Sequence, residues 1–322
     1  MKKDLSRYEV KADTYYNTLS HSHPVLARVL PGDTIFTRLL DTGGRDENDV
    51  SRAKPGNPLT GPIYVEGAEP GDALRVHLLK LTLNRTRGAS YYRLGLFSLT
   101  PESIENLYPN RYKEDLVYAK LANIVPWEID IKGGTVRLKE PVSETMGLEF
   151  PVRPMLGCIG VAPAGDFAPP THPAGSYGGN LDYNKIGEGA VVILPVYHPG
   201  GLLFLGDGHA LQGDGEPLGS GIETSMDAEF TVDVWRNANL TGPHVETKDD
   251  IISIGSQAEF ASSLDRALQM ATTDMVDWLV RGYKLEPWAA HLLIGCQARY
   301  DVLTVAGSMA LRTPRKYLPG QS

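Results

Sequence analysis

Short runs of strand-forming residues, separated by turns rich in Pro and Gly, limit most of this chain to a β-rich fold. The 34 Gly and 23 Pro residues are spread along the 322 residues rather than clustered, which indicates many turns between short strands. Pro31-Gly32-Asp33 precedes a strand-like run at 34–40, and Pro70-Gly71-Asp72 precedes another at 73–79. Pro fits the second position of a turn and Gly the left-handed third position, so each triplet is expected to lead into a strand.

Two hairpins are predicted further along the chain. Gly133-Gly134 lies between two strand-like runs and predicts a tight turn. Residues 190–206 contain two apolar runs around His198-Pro-Gly-Gly201 and predict a buried hairpin, in which Pro195 indicates an edge strand or a bulge. Long loops inside a compact domain are often functional, and two are expected here, at 41–57 and 163–180.

The C-terminal part of the sequence changes to a helical pattern. Apolar residues recur at helical spacing from Phe260 to Leu279. Ser256 and Glu259 have the spacing of a capping box at the start of this helix, and Gly282 supplies a stop.

A second helix is expected from Pro287 to about Cys296, followed by a strand at 302–305. These elements predict a mainly β (α+β) fold, a jelly-roll-like β-sandwich with a C-terminal helical pair packed against it. We divide it into an N-terminal β-rich domain at 1–160 and a site-bearing β-rich region with the helices at 161–322, closely packed enough to form one domain.

Composition restricts the partners and the compartment. The formal charge of −8 does not favour a nucleic-acid backbone or an anionic membrane as a partner. The charged N-terminus has no apolar run behind it, and the longest apolar stretch, at 190–197, is too short to span a bilayer. Cys158 and Cys296 form no CxxC pair and are expected to be buried thiols rather than a disulfide. We therefore expect a cytoplasmic protein.

The segment Gly206-Asp-Gly-His-Ala-Leu-Gln-Gly-Asp-Gly-Glu216 has the richest chemistry, with three carboxylates and one imidazole within ten positions. If the strand that enters it continues, Asp207 and His209 share one face, because side chains alternate along a strand. Such a pair can bind one divalent cation. Asp214 and Glu216 repeat the same spacing. The alternative is a polar Gly-rich turn whose acids accept backbone N–H groups.

Two further clusters contain possible ligands. Asn180 and Asp182 share a face after a long loop, although alone they would form an ordinary turn with an Asx cap. His21 and His23 could bind metal, but exposed histidines near an N-terminus need no role. Glu223 either supports the site or is an exposed acid. A histidine ligand favours zinc or another transition metal over calcium, and the acids lack the spacing of an EF-hand loop.

At these residues the sequence resembles the acetamidase/formamidase family. The motifs that carry the resemblance occur in the family's order and are Asn57-Pro-Leu-Thr-Gly-Pro-Ile63, Val65-Glu-Gly-Ala-Glu-Pro-Gly-Asp72, Gly178-Gly-Asn-Leu-Asp182, and the segment 206–216 with Glu223. The resemblance covers nearly the whole chain. It implies a β-rich, jelly-roll-like fold, hydrolysis of short aliphatic amides, a bound divalent metal and a homo-oligomer. The turn at 198–201 and the acid-rich loop at 41–50 depart from the family's pattern, which leaves other amide substrates open if either borders the pocket.

For amide hydrolysis we expect Asp182, Asp207 and His209 to bind the metal, zinc before calcium, and to leave one position open for water. Glu216 is the expected general base, which later passes its proton to ammonia, with Asp214 as its partner or as an alternate ligand. The residues expected to bind the substrate are Asn180, Gln212 and His23.

Two rival functions stay open at this point. The first is a metal-dependent hydrolase of another C–N bond on the same fold, such as that of a urea-like or cyclic amide. Ammonia release from a panel of amides would distinguish it from a hydrolase of short aliphatic amides. The second is a non-catalytic β-sandwich that binds calcium or a small polar ligand, which would show binding without turnover. A purely structural oligomer would give no reason for acids beside glycines in a buried region.

Overall fold

The computed structural model describes residues 7–91, 98–103, 124–139, 147–257 and 263–320. Strands account for 41% of the protein and helices for 13%, so the prediction of a mainly β fold with a C-terminal helical pair is confirmed. The strands are β1 (Arg7–Val10), β2 (Ala27–Val29), β3 (Thr34–Leu39), β4 (Thr60–Val65), β5 (Ala73–Leu83), β6 (Arg87–Tyr91), β7 (Ile124–Asp130), β8 (Thr135–Leu138), β9 (Glu149–Pro151), β10 (Met155–Val161), β11 (Ala174–Gly175), β12 (Gly178–Asn180), β13 (Val191–Pro195), β14 (Leu203–His209), β15 (Met226–Trp235), β16 (His244–Glu246), β17 (Asp250–Ser256), β18 (Arg299–Thr304) and β19 (Ser308–Pro314). The C-terminal helices are α1 (Leu264–Tyr283) and α2 (Pro287–Gln297).

The strands form three sheets, none of which closes into a barrel. The nine-stranded sheet has the order β1-β3-β15-β5-β13-β16-β17-β19-β18, and the six-stranded sheet has the order β11-β12-β10-β14-β4-β2. A four-stranded sheet contains β6 to β9. In the nine-stranded sheet β15 pairs with β3 on one side and β5 on the other, so strands from residues 1–160 and 161–322 share one sheet.

The two large sheets enclose one apolar core. In β15 every second residue from Met226 to Val232 is buried, as expected for a sheet with one face on the core. Phe230 of β15 and Phe204 of β14 belong to the same buried cluster. All seven residues of β14 are buried, so this strand is covered on both faces. Any charge on β14 must therefore be paired or bound to a counter-ion.

The predicted hairpin at residues 190–206 is wrong. β13 pairs with β5 and β16 in the nine-stranded sheet, whereas β14 pairs with β10 and β4 in the six-stranded sheet. The turn between them therefore takes the chain from one sheet to the other. Pro195 is the last residue of β13, which is an internal strand rather than an edge. Both runs are apolar on both faces, and that pattern fits a crossing between layers as well as a hairpin.

The hairpin at Gly133-Gly134 is confirmed, because β7 pairs with β8 from Asp130 and Thr135 onward. Cys158 is buried as expected, but Cys296 is exposed on α2; both are free thiols. Within the described ranges, no helix has the length and apolar character needed to cross a membrane.

The helical pair packs on the nine-stranded sheet, but α1 begins later than the sequence predicts. Ser256 is the last residue of β17, and the helix is capped instead by Ser263, whose hydroxyl accepts a hydrogen bond from Arg266 N. Glu259 lies outside the described residues. Strand pairing of β17 with β19 extends through Ser256 and excludes it from the helix. The second helix begins at Pro287, as predicted.

A buried ion pair fixes the start of the long loop at 41–57. Arg85 Nη2 donates to Asp41 Oδ2 over 2.5 Å, and Arg85 Nη1 donates to the carbonyl oxygen of Asp46 over 3.2 Å. Both side chains of the ion pair are less than 10% exposed. Because the loop contains Thr42 and Asn57, this pair also fixes two residues of the cavity described below.

We expect Arg85→Met to lower the free energy of unfolding by about 3 kcal/mol, because Asp41 would stay buried without its cation. Urea unfolding measures the change. Arg87→Met is the matched control, since Arg87 is 66% exposed in its pair with Asp49. Loss of an exposed pair costs less than about 1 kcal/mol. Equal effects of the two substitutions would show that the buried pair does not hold the loop.

Candidate functional site

Three ionisable side chains meet inside the six-stranded sheet. Asp207 and His209 lie at the end of β14, and Asp182 follows β12 by two residues. β10 lies between these strands and pairs with both of them. One possible ligand atom from each of the three side chains lies within 4.8 Å of the others. The side chains are 1–3% exposed, so the structure brings the three predicted metal ligands together in a buried position.

Two glycines leave the space that this group needs. A Cβ atom at Gly157, in β10, would lie 2.6 Å from Asp207 Oδ2 and 2.7 Å from Asp182 Oδ1. A Cβ atom at Gly221 would lie 2.8 Å from His209 Nδ1. Any larger residue at either position would therefore displace a candidate ligand.

Each of the two aspartates has one oxygen held by an amide. Asn57 Nδ2 donates to Asp207 Oδ2 over 3.1 Å and to Asn180 Oδ1 over 2.7 Å, and Asn180 Nδ2 donates to Asp182 Oδ2. Thr42 Oγ1 completes the chain by donating to Asn57 Oδ1. We call Thr42, Asn57 and Asn180 the amide relay. It orients the carboxylates and leaves Asp182 Oδ1 and Asp207 Oδ1 buried without a hydrogen bond.

The atoms without hydrogen bonds have the chemistry of a cation site. Besides Asp182 Oδ1 and Asp207 Oδ1, both ring nitrogens of His209 are buried and make no hydrogen bond. Leaving buried polar atoms unsatisfied costs free energy, which a bound cation would recover. Two carboxylate oxygens and one imidazole nitrogen suit zinc or a related divalent ion and leave a coordination position open. The residues therefore fit a divalent cation.

Glu223 belongs to the same buried group. Its Oε2 lies 2.9 Å from His209 Nε2, which is an ion-pair distance. Its Oε1 accepts hydrogen bonds from Ser220 Oγ and Gly221 N, over 3.0 and 3.1 Å. Of the two roles open for Glu223 from the sequence, the exposed acid is wrong, because only 4% of this residue is exposed.

The electrostatics of the group favour added positive charge. Burial raises the pKa of Asp182 well above its usual range, and the Glu216 and Asp207 carboxylates raise it further. Burial also raises the pKa of Glu223, to about 8. Burial lowers the pKa of His209, but Glu223 and Asp207 outweigh it and raise that pKa well above its usual value. Burial opposes ionisation of Asp207, yet His209 outweighs it and lowers the Asp207 pKa. These shifts arise because several acids are buried around one imidazole.

A cavity of about 510 Å³ opens onto this group. Its lining includes the amide relay, the acids Asp182, Asp207, Glu216 and Glu223, and the tip of the β18–β19 hairpin at 304–308. Four lining residues other than glycine have positive φ angles, namely Asn57 (52°), Asp182 (45°), Asp207 (60°) and Glu216 (45°). Such backbone costs on the order of 1 kcal/mol or more for each residue and is concentrated at functional sites in proteins.

The structure does not place every predicted site residue at the cavity. Glu216 lines it, but Asp214 is exposed outside it and accepts a hydrogen bond from Asn184 Nδ2. Gln212 is buried, and its Nε2 donates to the carbonyl oxygen of Asp182 over 2.6 Å. Gln212 therefore supports the backbone of a candidate ligand instead of lining the cavity.

The N-terminal histidines also lie apart from the cavity lining. His23 Nε2 lies 2.8 Å from Thr18 Oγ1, and its ring stacks on Tyr16. His21 contacts Asp166. Asn180 does line the cavity, but its amide oxygen and nitrogen are both used within the relay. The substrate-binding roles expected for Gln212 and His23 are thus not supported by their positions, because local contacts hold both side chains elsewhere.

Sequence reasoning missed several residues of the cavity. Asn57 is the first residue of the motif at 57–63, but no function was predicted for it. Its polar side chain next to an apolar motif could have indicated a position at the site. His172 lines the cavity from the long loop at 163–180. Tyr91, Gln257 and the hairpin tip at 304–308 gave no local signal, since only the tertiary fold brings them to the site.

Comparison with known proteins gives a consistent result. The sequence model of the acetamidase/formamidase family matches residues 4–170 and 164–299. The formamidase of Methylophilus methylotrophus is 27% identical over 258 residues, which cover 67% of this chain and 63% of that protein. This chain spans less than two thirds of the length of the curated relatives that it matches.

Solved structures match over nearly the whole chain. An acetamidase from Yersinia enterocolitica superposes with a TM-score of 0.78 at 25% identity, covering 98% of this chain and 94% of that one. A protein from Thermoanaerobacter tengcongensis, described as a predicted acetamidase/formamidase, superposes with a TM-score of 0.77 at 29% identity, covering 97% and 96%.

We expect Gly157→Ala to lower the free energy of unfolding by about 2 kcal/mol, because the new methyl group would overlap the Asp182 and Asp207 carboxylates. Thermal or urea unfolding measures this. Gly213→Ala is the control, since Gly213 is exposed and has nothing within 4 Å of its Cβ position. Its effect should stay within about 0.5 kcal/mol. A Gly157→Ala protein as stable as the control would contradict the close packing around the carboxylates.

Proposed function

Because the chain belongs to the acetamidase/formamidase family, we propose that it hydrolyses small, uncharged amides to a carboxylate and ammonia with a divalent metal, zinc in the first instance. One observation supports this proposal most. Asp182, Asp207 and His209 form a buried group with oxygen and nitrogen atoms that make no hydrogen bond, and the two aspartates line the cavity.

Asp182, Asp207 and His209 are the residues that would hold the metal. When bound, it would supply electrophilic assistance to the amide carbonyl and make a water molecule more acidic. The amide relay keeps the two carboxylates in a fixed orientation, because Asn57 and Asn180 each hold one oxygen. A pre-oriented set of ligands does not have to reorganise when the substrate binds.

We assign proton transfer to Glu216. It lines the cavity and lies outside the group of possible ligands. A carboxylate in this position can accept a proton from the attacking water and deliver it to the departing nitrogen. Asp214 has no part in this assignment, because it is exposed outside the cavity.

Glu223 acts as a positioning residue for His209. Its carboxylate is fixed by Ser220 and Gly221, and it contacts the imidazole at Nε2. A carboxylate beside a ligand histidine fixes the orientation of the ring and raises its basicity. The orientation of His209 therefore depends on a residue that was outside the predicted ligand set.

We expect the purified protein to contain about one zinc ion per chain and to release ammonia from formamide or acetamide, and chelation to abolish both. Elemental analysis and an ammonia assay, before and after dialysis against a chelator, measure this. Asp207→Asn should lower metal content, because it removes a charged ligand. Asp166→Asn is its control, since the Asp166 side chain is fully exposed.

Three outcomes would contradict this proposal in different ways. Full activity after complete removal of metal would exclude the metal dependence. Turnover of cyclic or urea-like amides alone would indicate a hydrolase of another C–N bond. Bound metal without turnover of any amide would indicate a binding protein.

We expect Glu216→Gln to lower kcat by about 10²- to 10⁴-fold, because the side chain would no longer accept a proton. Metal content should stay at the wild-type level, since Glu216 is outside the ligand group. Ammonia release and elemental analysis of the same sample measure both quantities. Glu188→Gln, at an exposed position, is the matched control. A wild-type rate in Glu216→Gln would remove Glu216 from the proposed mechanism.

A further inference from the structure

The β18–β19 hairpin forms one wall of the cavity and lies beyond the part of the chain that the family model matches. That match ends at residue 299, where β18 begins. All five residues of the hairpin tip, 304–308, line the cavity. The candidate ligands lie within the matched part of the sequence, and the tip that forms this wall lies beyond it.

The hairpin tip is an ordered turn. Gly307 N donates to the carbonyl oxygen of Thr304 over 3.1 Å, and Ala306 N donates to Thr304 Oγ1 over 3.0 Å. Gly307 has a φ of 117°, which favours glycine at this position. The side chains of Val305 and Ala306 are thus presented from a turn with its own hydrogen bonds.

Backbone hydrogen bonds join the tip to the segment that contains Glu216. Gly215 N donates to the carbonyl oxygen of Val302 over 2.8 Å, and Val305 N donates to the carbonyl oxygen of Gly215 over 2.7 Å. A Cβ atom at Gly215 would lie 3.4 Å from Val305 Cγ1, so the two segments are in close contact. The wall and the proposed general base are therefore held together.

A second set of contacts joins the hairpin to the ligand Asp182. Tyr183, the next residue, donates from its hydroxyl to Asp301 Oδ2 over 2.7 Å, and Arg312 Nε donates to the same oxygen over 2.7 Å. Asp301 and Arg312 belong to β18 and β19. The hairpin is thus hydrogen-bonded to the segments that contain Glu216 and Asp182.

One part of the cavity lining is apolar. Val305 and Ala306 from the tip, with Pro173 and Ala174, are the side chains in the lining that present carbon atoms alone. The cavity volume of about 510 Å³ is in the range that encloses ligands of drug size. Acetamide has about four non-hydrogen atoms, and ligand affinity grows with the number of atoms in contact. The cavity thus has room for a larger acyl group beside the apolar wall.

Charge restricts that group further. The described lining contains four carboxylates, from Asp182, Asp207, Glu216 and Glu223, and no Lys or Arg. With a divalent cation held by Asp182 and Asp207, the remaining acids Glu216 and Glu223 offer no positive charge to pair with a carboxylate on the acyl group. The acyl group that fits this lining is uncharged.

Resting on the proposed amide hydrolysis, we infer that the preferred substrates are primary amides with uncharged, apolar acyl groups larger than acetyl, and that Val305 and Ala306 contact this group and determine specificity. The reaction is unchanged: water supplies the hydroxyl that replaces nitrogen on the carbonyl carbon, the C–N bond breaks, and the nitrogen leaves as ammonia with the proton from water. Only the part of the substrate outside the amide differs.

The test is kcat/KM for ammonia release by the metal-loaded protein with formamide, acetamide, propionamide and butyramide, and with succinamate as an anionic amide. We expect kcat/KM to increase about fourfold for each methylene from acetamide to butyramide, as burial of a methylene in an apolar site predicts. Succinamate should be at least about tenfold poorer than butyramide because of the carboxylates in the lining.

Two variants test the wall itself. Val305→Ala should lower the ratio of kcat/KM for butyramide to kcat/KM for formamide about fivefold, because only the longer acyl group reaches the lost methyl groups. Ala306→Leu should also lower the butyramide-to-formamide ratio, because the larger side chain would occupy the space for the acyl group. Ala306 is exposed, so the fold should tolerate the change. Val25→Ala, at an exposed position outside the lining, is the matched control for Val305→Ala.

The outcomes separate this inference from the proposed function. Ammonia release from formamide and acetamide with no increase along the series would overturn the inference and leave amide hydrolysis standing. A butyramide-to-formamide ratio that neither variant changes would also overturn it. No ammonia from any amide, with metal bound, would overturn both.

Discussion

The burial of several carboxylates in the middle of a β-sheet is the constraint on which the arrangement of this protein depends. Asp182, Asp207 and Glu223 are each less than 5% exposed, and carboxylates in such positions need a positive charge or hydrogen bonds. The His209 imidazole contacts Glu223, and the amide relay and Ser220 supply hydrogen bonds. These partners satisfy only part of each carboxylate, and the remaining oxygen atoms have the chemistry to bind a cation.

That constraint explains local features that would otherwise lower stability. Asp207 has a positive φ in the middle of a strand, where an L-residue is strained. Its neighbours Gly206 and Gly208 still pair with β10, so the strand continues on both sides of the distortion. Opposite this point Gly157 has no side chain, and the two carboxylates occupy the space that a Cβ atom would take. The pairing of β14 with β10, the positive φ of Asp207 and the absence of a side chain at Gly157 together allow the two carboxylates to lie close to each other.

Local patterns were enough to predict the elements and the centre of the site, but not the surroundings. The i, i+2 spacing of Asp207 and His209 correctly placed two groups together, because strand alternation is a local property. The same reasoning gave Gln212 and His23 roles at the substrate, yet hydrogen bonds to Asp182 O and Thr18 hold them away from the cavity lining. The run at 190–206 was assigned to one hairpin, because a strand buried on both faces has no period that reveals its partner. Residues 304–308 reach the site only through long-range pairing.

The cavity therefore combines two parts with different structural requirements. The ligand group depends on buried charges, positive φ angles and glycines, so nearly every substitution there would disturb packing or electrostatics. The hairpin tip is joined to the segment of Glu216 by backbone atoms, through Val305 N and Gly215 O. Side chains at 305 and 306 can therefore vary without breaking that hydrogen bond. With the proposed base and the inferred acyl contacts, such a site can keep one reaction and change the acyl group it accepts, because backbone atoms hold the Glu216 segment and side chains at 305 and 306 would contact the acyl group.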